Sequence, residues 1–189
     1  GDLRLVYRVA GAGTREFSSY REGDPITVLG PLGNGFPQLP PHKKVLILGG
    51  GIGIFPMLQA AKELQGEKTV VLGYRDQVFL KEAFLNLGTV YVATEDGSAG
   101  TRGNVLDAVR ENQICGDVIL ACGPGPMLRA VKQYALEHQI ECYLSLEERM
   151  ACGIGACLAC VCKSQEEDSH THVKNKRICR EGPVFRAEE

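Results

Sequence analysis

Apolar and polar positions fall into three patterns along the chain. Between residues 44 and 146, short continuous apolar runs alternate with stretches whose apolar residues recur every three or four positions. Val45-Leu-Ile-Leu and Val118-Ile-Leu-Ala carry no polar break, as expected of strands covered on both faces. The pattern predicts strands at Val45–Gly49, Thr69–Tyr74, Thr89–Thr94, Asp117–Ala121 and Glu141–Leu146. It predicts helices at Ile54–Leu64, Phe79–Leu87, Val105–Asn112 and Pro126–Gln139. Such alternation predicts an α/β fold with a parallel, doubly wound sheet.

The flanking stretches differ. Leu3–Val9 alternates like a strand, Gly11-Ala-Gly-Thr14 reads as a turn, and Ile26–Leu29 as a second strand leading into Gly30-Pro-Leu-Gly-Asn-Gly-Phe36. Two or three strands cannot bury a sheet face alone, so this region is expected to be the tail of a β-barrel or sheet domain. Pro37–Lys43, with three prolines, reads as a stiff connector. Residues 147–189 have little periodicity, and Gln165–Lys176 with His170 and His172 reads as a solvated loop. The expected domains are therefore 1–40, 41–146 and 147–189.

A chain of 189 residues has room for one or two domains. Its 44% apolar and 23% charged residues are those of an ordinary globular protein. A net charge of −2 gives no bias toward nucleic acid. The longest apolar stretches, such as Val45–Pro56, fall short of the ~20 residues a membrane span needs. The chain opens on Gly-Asp and a strand-like run, as though in mid-domain, and further N-terminal sequence is expected.

The eight cysteines change the picture, because five lie in residues 147–189. Cys152, Cys157 and Cys160 form C-x4-C-x2-C, and Cys179 follows 19 positions after Cys160. That is plant-type [2Fe–2S] ligand spacing. Gly153, Gly155 and Ala156 let the backbone approach inorganic sulfide with its N–H groups, and Ile154, Leu158 and Ala159 supply apolar cover. A structural zinc site prefers two C-x2-C pairs, and only Cys157/Cys160 supplies one. Disulfides are the other alternative, though no secretory signal opens the chain. Cys162 could compete as a ligand from the same strand face and is expected to be a packed thiol.

Two glycine turns follow apolar strands. Gly49-Gly-Gly-Ile-Gly53 precedes one helix and Cys122-Gly-Pro-Gly-Pro-Met127 another. Glycines bring backbone close to phosphate, and a helix N-terminus offers N–H groups. The fit to G-x-G-x-x-G is imperfect, since the third glycine is replaced by Ile54 or Pro56, and a plain βα turn is the alternative. Gly49, Gly51, Gly53 and Gly123 are candidate contacts to a dinucleotide, and Cys122 sits where the crevice would open. Asp76 stands at the position for a ribose hydroxyl, while Arg75 beside it would suit a 2′-phosphate. Thr94–Ser98 is a polar loop at a strand end without an assigned role.

These residues resemble the ferredoxin-reductase superfamily and, more closely, the electron-transfer subunits of class 1B dihydroorotate dehydrogenases. The resemblance rests on Gly30–Phe36, Gly49–Ile54, Leu146–Cys162, Cys179 and Gly182–Phe185. It implies an FAD-binding barrel, an NAD-binding domain and a [2Fe–2S] domain in a cytoplasmic protein. Electrons would pass from an FMN-containing dihydroorotate dehydrogenase catalytic subunit through the cluster and FAD to NAD, in pyrimidine biosynthesis. Gly13 and Thr14 would lie near the FAD pyrophosphate, Gly51, Ile52 and Gly53 near NAD, and Cys122 where nicotinamide meets flavin. The family's Arg-x-Tyr-Ser flavin motif has no counterpart, since Arg15-Glu-Phe-Ser18 follows the glycine turn instead of preceding it. The first part of the FAD domain is therefore expected to be absent. The 18 residues between Cys160 and Cys179 form a long gap, and its two histidines are expected to be solvated. A related flavin/iron–sulfur NAD(P)H oxidoreductase of ferredoxin or hydrogenase type is the alternative, and a zinc-containing binding module a more distant one.

Overall fold

The computed structural model describes residues 3–168 and 172–189, so the expectation for His170 lies outside the described residues. The chain divides into two compact units, Gly1–Pro31 and Leu32–Glu189.

Among its described residues, the first unit forms one short helix, α1 (Ala12–Phe17). The Thr14 hydroxyl accepts hydrogen bonds from the amides of Ala10 (2.9 Å) and Gly11 (3.0 Å), which turns the predicted Gly11–Thr14 turn into a helix start. Phe17 packs edge-on against Tyr7 at 5.8 Å and beside Tyr20 at 5.7 Å. Leu3–Val9 and Ile26–Leu29 are not strands among the described residues, which corrects the expectation. Their alternation has no sheet face to pack on: Leu3 is 69% and Leu29 65% exposed. An extended segment without a ladder partner keeps its N–H and C=O groups in water.

In the second unit the chain builds β1 (Val45–Gly50), α2 (Ile54–Glu63), β2 (Lys68–Tyr74), β3 (Thr89–Thr94), β4 (Thr101–Arg102), α3 (Val105–Glu111), β5 (Val118–Cys122), α4 (Gly125–His138) and β6 (Glu141–Ser145). The cysteine-rich end adds β7 (Val161–Lys163), β8 (Asn175–Arg177) and β9 (Val184–Arg186). One sheet runs in the order β4-β3-β2-β1-β5-β6-β9, parallel except for β9, and β7-β8 is a separate antiparallel pair.

The two faces of β1 explain why its apolar run is continuous. Val45 and Ile47 pack with Ile54, Met57 and Ala61 of α2, whereas Leu46 and Leu48 pack with Val109 of α3 and Val131 of α4. Each fully buried side chain of this size contributes about 1.5–3 kcal/mol. The chain leaves β1 toward one edge and reaches β5 on the other side, so the strand order reverses between them. That reversal opens a crevice at the carboxyl ends of β1 and β5. Among the described residues, no helix is long and apolar enough to cross a membrane.

The predicted helix Phe79–Leu87 is instead a single 3₁₀ turn at Lys81–Phe84. Leu80 adopts a left-handed φ of 62°, which no continuing helix accommodates. Phe79 is held outside the turn: its ring stacks on Phe55 at 5.6 Å, and its carbonyl accepts the Tyr74 hydroxyl at 2.6 Å.

Burial pushes the Tyr74 phenol up to about 12. The folded state keeps the neutral form, so this contribution is complete below the ordinary tyrosine value near pH 10. It is lost as pH rises toward 12. Tyr74→Phe should cost about 1 kcal/mol at pH 7 through the unpaired Phe79 carbonyl. Urea unfolding should show the gap to wild type narrowing at pH 11.

Candidate functional site

The crevice is made by two glycine turns packed backbone to backbone. A Cβ on Gly53 would stand 2.4 Å from the Cys122 carbonyl oxygen and 2.7 Å from the Gly123 amide nitrogen. One on Gly50 would stand 2.4 Å from the Met127 sulfur, and one on Gly123 2.8 Å from the same atom. These glycines are required by the contact between turns. Gly49 is closed by Ile54, whose Cγ1 would be 3.1 Å away.

Gly51 differs. It has a left-handed φ of 53° and open space where a side chain would be. It starts the 3₁₀ turn Gly51–Gly53 that feeds α2, and no side chain caps that helix start. Ile52 beside it is 46% exposed. Backbone N–H groups at an open glycine turn before a helix suit a phosphate.

Cys122 pairs with Gly49 on one side and Ser145 on the other. Burial raises its thiol pKa, a hydrogen bond with Ser145 works against that shift, and Glu147 adds to it. Cys122 is therefore a half-buried neutral thiol at the crevice. Ser145 carried no signal in the sequence, because its place follows from strand register.

Asp76 lies exposed just beyond β2, and its carbonyl accepts the Ser98 hydroxyl at 3.1 Å. The unassigned loop after β3 is thereby tied to it. The Asp96 carboxylate accepts the Ser98 amide (2.9 Å) and hydroxyl (2.7 Å), which holds its pKa below the usual range. Buried Thr94 exchanges hydrogen bonds with Ala99 across the same loop. Gly13 and Thr14 belong to the first unit, where both are on α1.

The cysteine-rich segment is a second centre. Cys152, Cys157, Cys160 and Cys179 come together in two pairs. The Cys157 amide donates to Cys152 Sγ at 3.4 Å, and the Cys179 amide to Cys160 Sγ at 3.5 Å. Positive φ at Gly153 (73°), Gly155 (83°) and Leu158 (57°) curls the loop so that its amides turn inward. Hydrogen bonds from the backbone of Cys157, then of Ile154, hold the Cys152 pKa near 6. Cys179 goes the other way: burial raises it, as does the neighbouring Cys160, while the Gly155 N–H lowers it. Cys152 also acts on Cys179 electrostatically, so the two pairs adjoin.

The inner pair sits in a small core of Ile178 and Phe185, with Cys160 2% and Cys179 5% exposed, while Cys157 faces outward. Among the described residues, no three His, Cys, Asp or Glu side chains stand close enough for a single metal ion. A two-and-two set of thiols with amides on sulfur has the donor chemistry of a binuclear cluster. Cys162 on β7 packs half-buried against the same core, its thiol donating to the Lys176 carbonyl at 3.5 Å and raised by burial.

Asn34 and Arg177, neither of them a candidate site residue from the sequence, hold this segment. Asn34 donates its side-chain amide to the carbonyls of Arg180 and Glu181, both at 3.1 Å, and its backbone amide to Gly182. The Arg177 guanidinium grips Glu181 from Nε (3.0 Å) and Nη2 (2.5 Å), and its Nη1 reaches the Gly155 carbonyl at 3.4 Å. The spacing of Arg177 and Glu181 is visible in sequence, but the reach to Gly155 is not.

Known proteins share these features. The family model described as the iron-sulfur cluster binding domain of dihydroorotate dehydrogenase B matches residues 147–189. A relative from Caldanaerobacter subterraneus subsp. tengcongensis, named dihydroorotate dehydrogenase B (NAD(+)), electron transfer subunit, is 45% identical over 188 residues, covering 99% of this chain and 74% of its own. One of the same name from Listeria monocytogenes serotype 4a is 50% identical over 192 residues, covering 98% and 73%. A solved structure, described as that of an NADH-dependent reduced ferredoxin-NADP oxidoreductase, superposes with a TM-score of 0.82 at 32% identity. It covers 97% of this chain, which spans 66% of that one.

The turn-on-turn packing gives a direct check. Gly53→Ala must displace backbone and should cost about 1–3 kcal/mol. Gly125→Ala meets only the flexible tip of Arg129, at 3.3 Å, and should stay within about 0.5 kcal/mol of wild type in urea unfolding.

Proposed function

Since the chain belongs to the family of dihydroorotate dehydrogenase B electron transfer subunits, we propose that its four paired thiols hold a [2Fe–2S] cluster and its glycine crevice binds NAD. The two-and-two arrangement of Cys152/Cys157 and Cys160/Cys179 carries this reading. When bound, such a cluster moves one electron at a time, and FAD joins that traffic to the two-electron hydride of NAD.

Each residue then has a defined task. Cys152, held near 6, is largely thiolate at neutral pH and ready to ligate. Cys160 and Cys179, enclosed by Ile178 and Phe185, exclude water from the inner side. The amides turned inward by Gly153 and Gly155 stabilise negative charge on sulfur. In the crevice, Gly51 and Ile52 would face the pyrophosphate, with Gly49, Gly53 and Gly123 shaping the turn. Asp76 would take the ribose side. Cys122, protonated and held by Ser145, would lie beside the nicotinamide and orient it without competing as a base. Gly13 and Thr14 would contribute to the FAD site.

Oxidation of dihydroorotate would occur in an FMN-containing catalytic subunit, as the names of the relatives as electron transfer subunits support. The domains would be divided at 1–40, 41–146 and 147–189, and the complex would work in the cytoplasm. The reductase structure at 32% identity supports a second reading with the same carriers and a different electron donor.

Full-length protein purified without oxygen should hold about two irons and two sulfides per chain and be red-brown. Cys157→Ser should bleach that colour. One zinc and a colourless protein, or an unchanged spectrum in the variant, would end the ligand assignment. Co-purification of a dihydroorotate-oxidising flavoprotein separates the first reading from the second.

A further inference from the structure

Two parts of the chain must meet for four thiols to converge: the loop Cys152–Cys160 and the turn around Cys179. Their backbones meet where the Ile178 amide donates to the Cys160 carbonyl at 3.0 Å, and a second contact forms at Gly155, whose amide points at Cys179 and whose carbonyl accepts from the Arg177 guanidinium. Gly155 is buried under two arginines. A Cβ there would meet Arg180 Cδ at 2.9 Å and Arg177 Cδ at 3.5 Å. The loop is thus closed by the arginine side chains of the turn.

Arg177 is the inner of the two, with its side chain only 11% exposed. A charge this enclosed needs partners. Glu181 supplies a two-pronged grip and also accepts the Arg177 backbone amide at 2.7 Å. Asp168 stands 3.6 Å from the same guanidinium. The planar fork holds Glu181 in one geometry while a third N–H reaches Gly155, which a lysine could not do at once. The guanidinium charge also acts on Cys179.

Resting on the cluster reading above, we propose that the Arg177–Glu181 pair positions the glycine loop against Cys179 and sets the reduction potential of the cluster these cysteines hold. Arg177 and Glu181 are positioning residues here, since neither touches the sulfur ligands. Reduction adds one electron, and so one negative charge, beside them. A nearby cation favours that charge and a nearby carboxylate opposes it. The Arg177 side chain is mostly enclosed while Glu181 is partly exposed, so screening is weaker at the guanidinium than at the carboxylate.

Full-length holoprotein and the variants R177Q, R177K and E181Q separate this from a merely structural role. Iron and sulfide per chain are counted first. Each sample is then titrated with dithionite, the one-electron donor, and followed by EPR. R177Q should make reduction about tenfold less favourable, a 59 mV drop for a one-electron couple. E181Q keeps the shape and one of the two acceptor oxygens but removes the negative charge, so reduction should become more favourable. R177K keeps the charge and should stay near the wild-type potential while losing iron faster to a chelator. Shifts of the same sign in R177Q and E181Q, or a reduction equilibrium within twofold of wild type in both of these, would overturn the proposal. Should R177Q fail to hold iron, the sign of E181Q and the position of R177K still decide it. Wild type without iron and sulfide would instead remove the cluster reading beneath it, an outcome recognisable before any variant is compared.

Discussion

The antiparallel pairing of β6 with β9 is the constraint on which the rest of the second unit depends. Ser145, Leu144 and Tyr143 lie opposite Val184, Phe185 and Arg186, and the Leu146 amide closes the base on the Pro183 carbonyl at 2.8 Å. Everything from 147 to 182 is thus an excursion between two paired strands. Closing a loop of that length costs only slowly growing entropy, and the ladder offsets it. Phe185 belongs to β9 and to the core around Cys160 and Cys179, so the pairing that extends the sheet also walls the inner thiols. Ser145 belongs to β6 and holds Cys122 at the crevice. One strand pair therefore connects both candidate centres.

The crevice shows how glycines divide their labour. Gly50, Gly53 and Gly123 let two turns touch through backbone, and their replacement would be felt as misfit whether or not a nucleotide binds. Gly51, by contrast with these, combines a left-handed backbone with empty space above it. The imperfect G-x-G-x-x-G spacing follows from this. Ile54 stands where a third glycine would come because its side chain is wanted against Gly49 and in the α2 core.

The central sheet was legible because its strands are buried on both faces and written as unbroken apolar runs, Val45–Leu48 and Val118–Ala121. The parallel order, and with it the crevice, followed from strand–helix alternation. The first 31 residues were less legible, since alternation in Leu3–Val9 records a preference for a partner that the unit does not contain. Phe79–Leu87 misled for another reason: helical spacing of Leu80, Phe84 and Leu87 was overridden by the left-handed Leu80 and by the pull of Tyr74 and Phe55 on Phe79. At the cysteine segment, spacing marked four thiols but not their pairing. Nor did it reveal Asn34, which reaches the Cys179 turn from 146 residues away.

The four thiols are unequal in a way that bears on where charge can rest. Cys152 has amides of the loop on its sulfur, which hold its pKa near 6, and Cys157 faces water. Cys160 and Cys179 are enclosed by Ile178 and Phe185, and burial opposes ionisation of Cys179. At Cys179 burial outweighs the one hydrogen bond from Gly155, the reverse of the balance at Cys152. Under the electron-transfer reading, added negative charge is therefore better tolerated toward the outer pair. Any molecule that covers Cys157, with the exposed Ile154 and Leu158 beside it, takes water from that side and narrows the difference. Contact at this edge would then act on the energy of the electron as well as on its path.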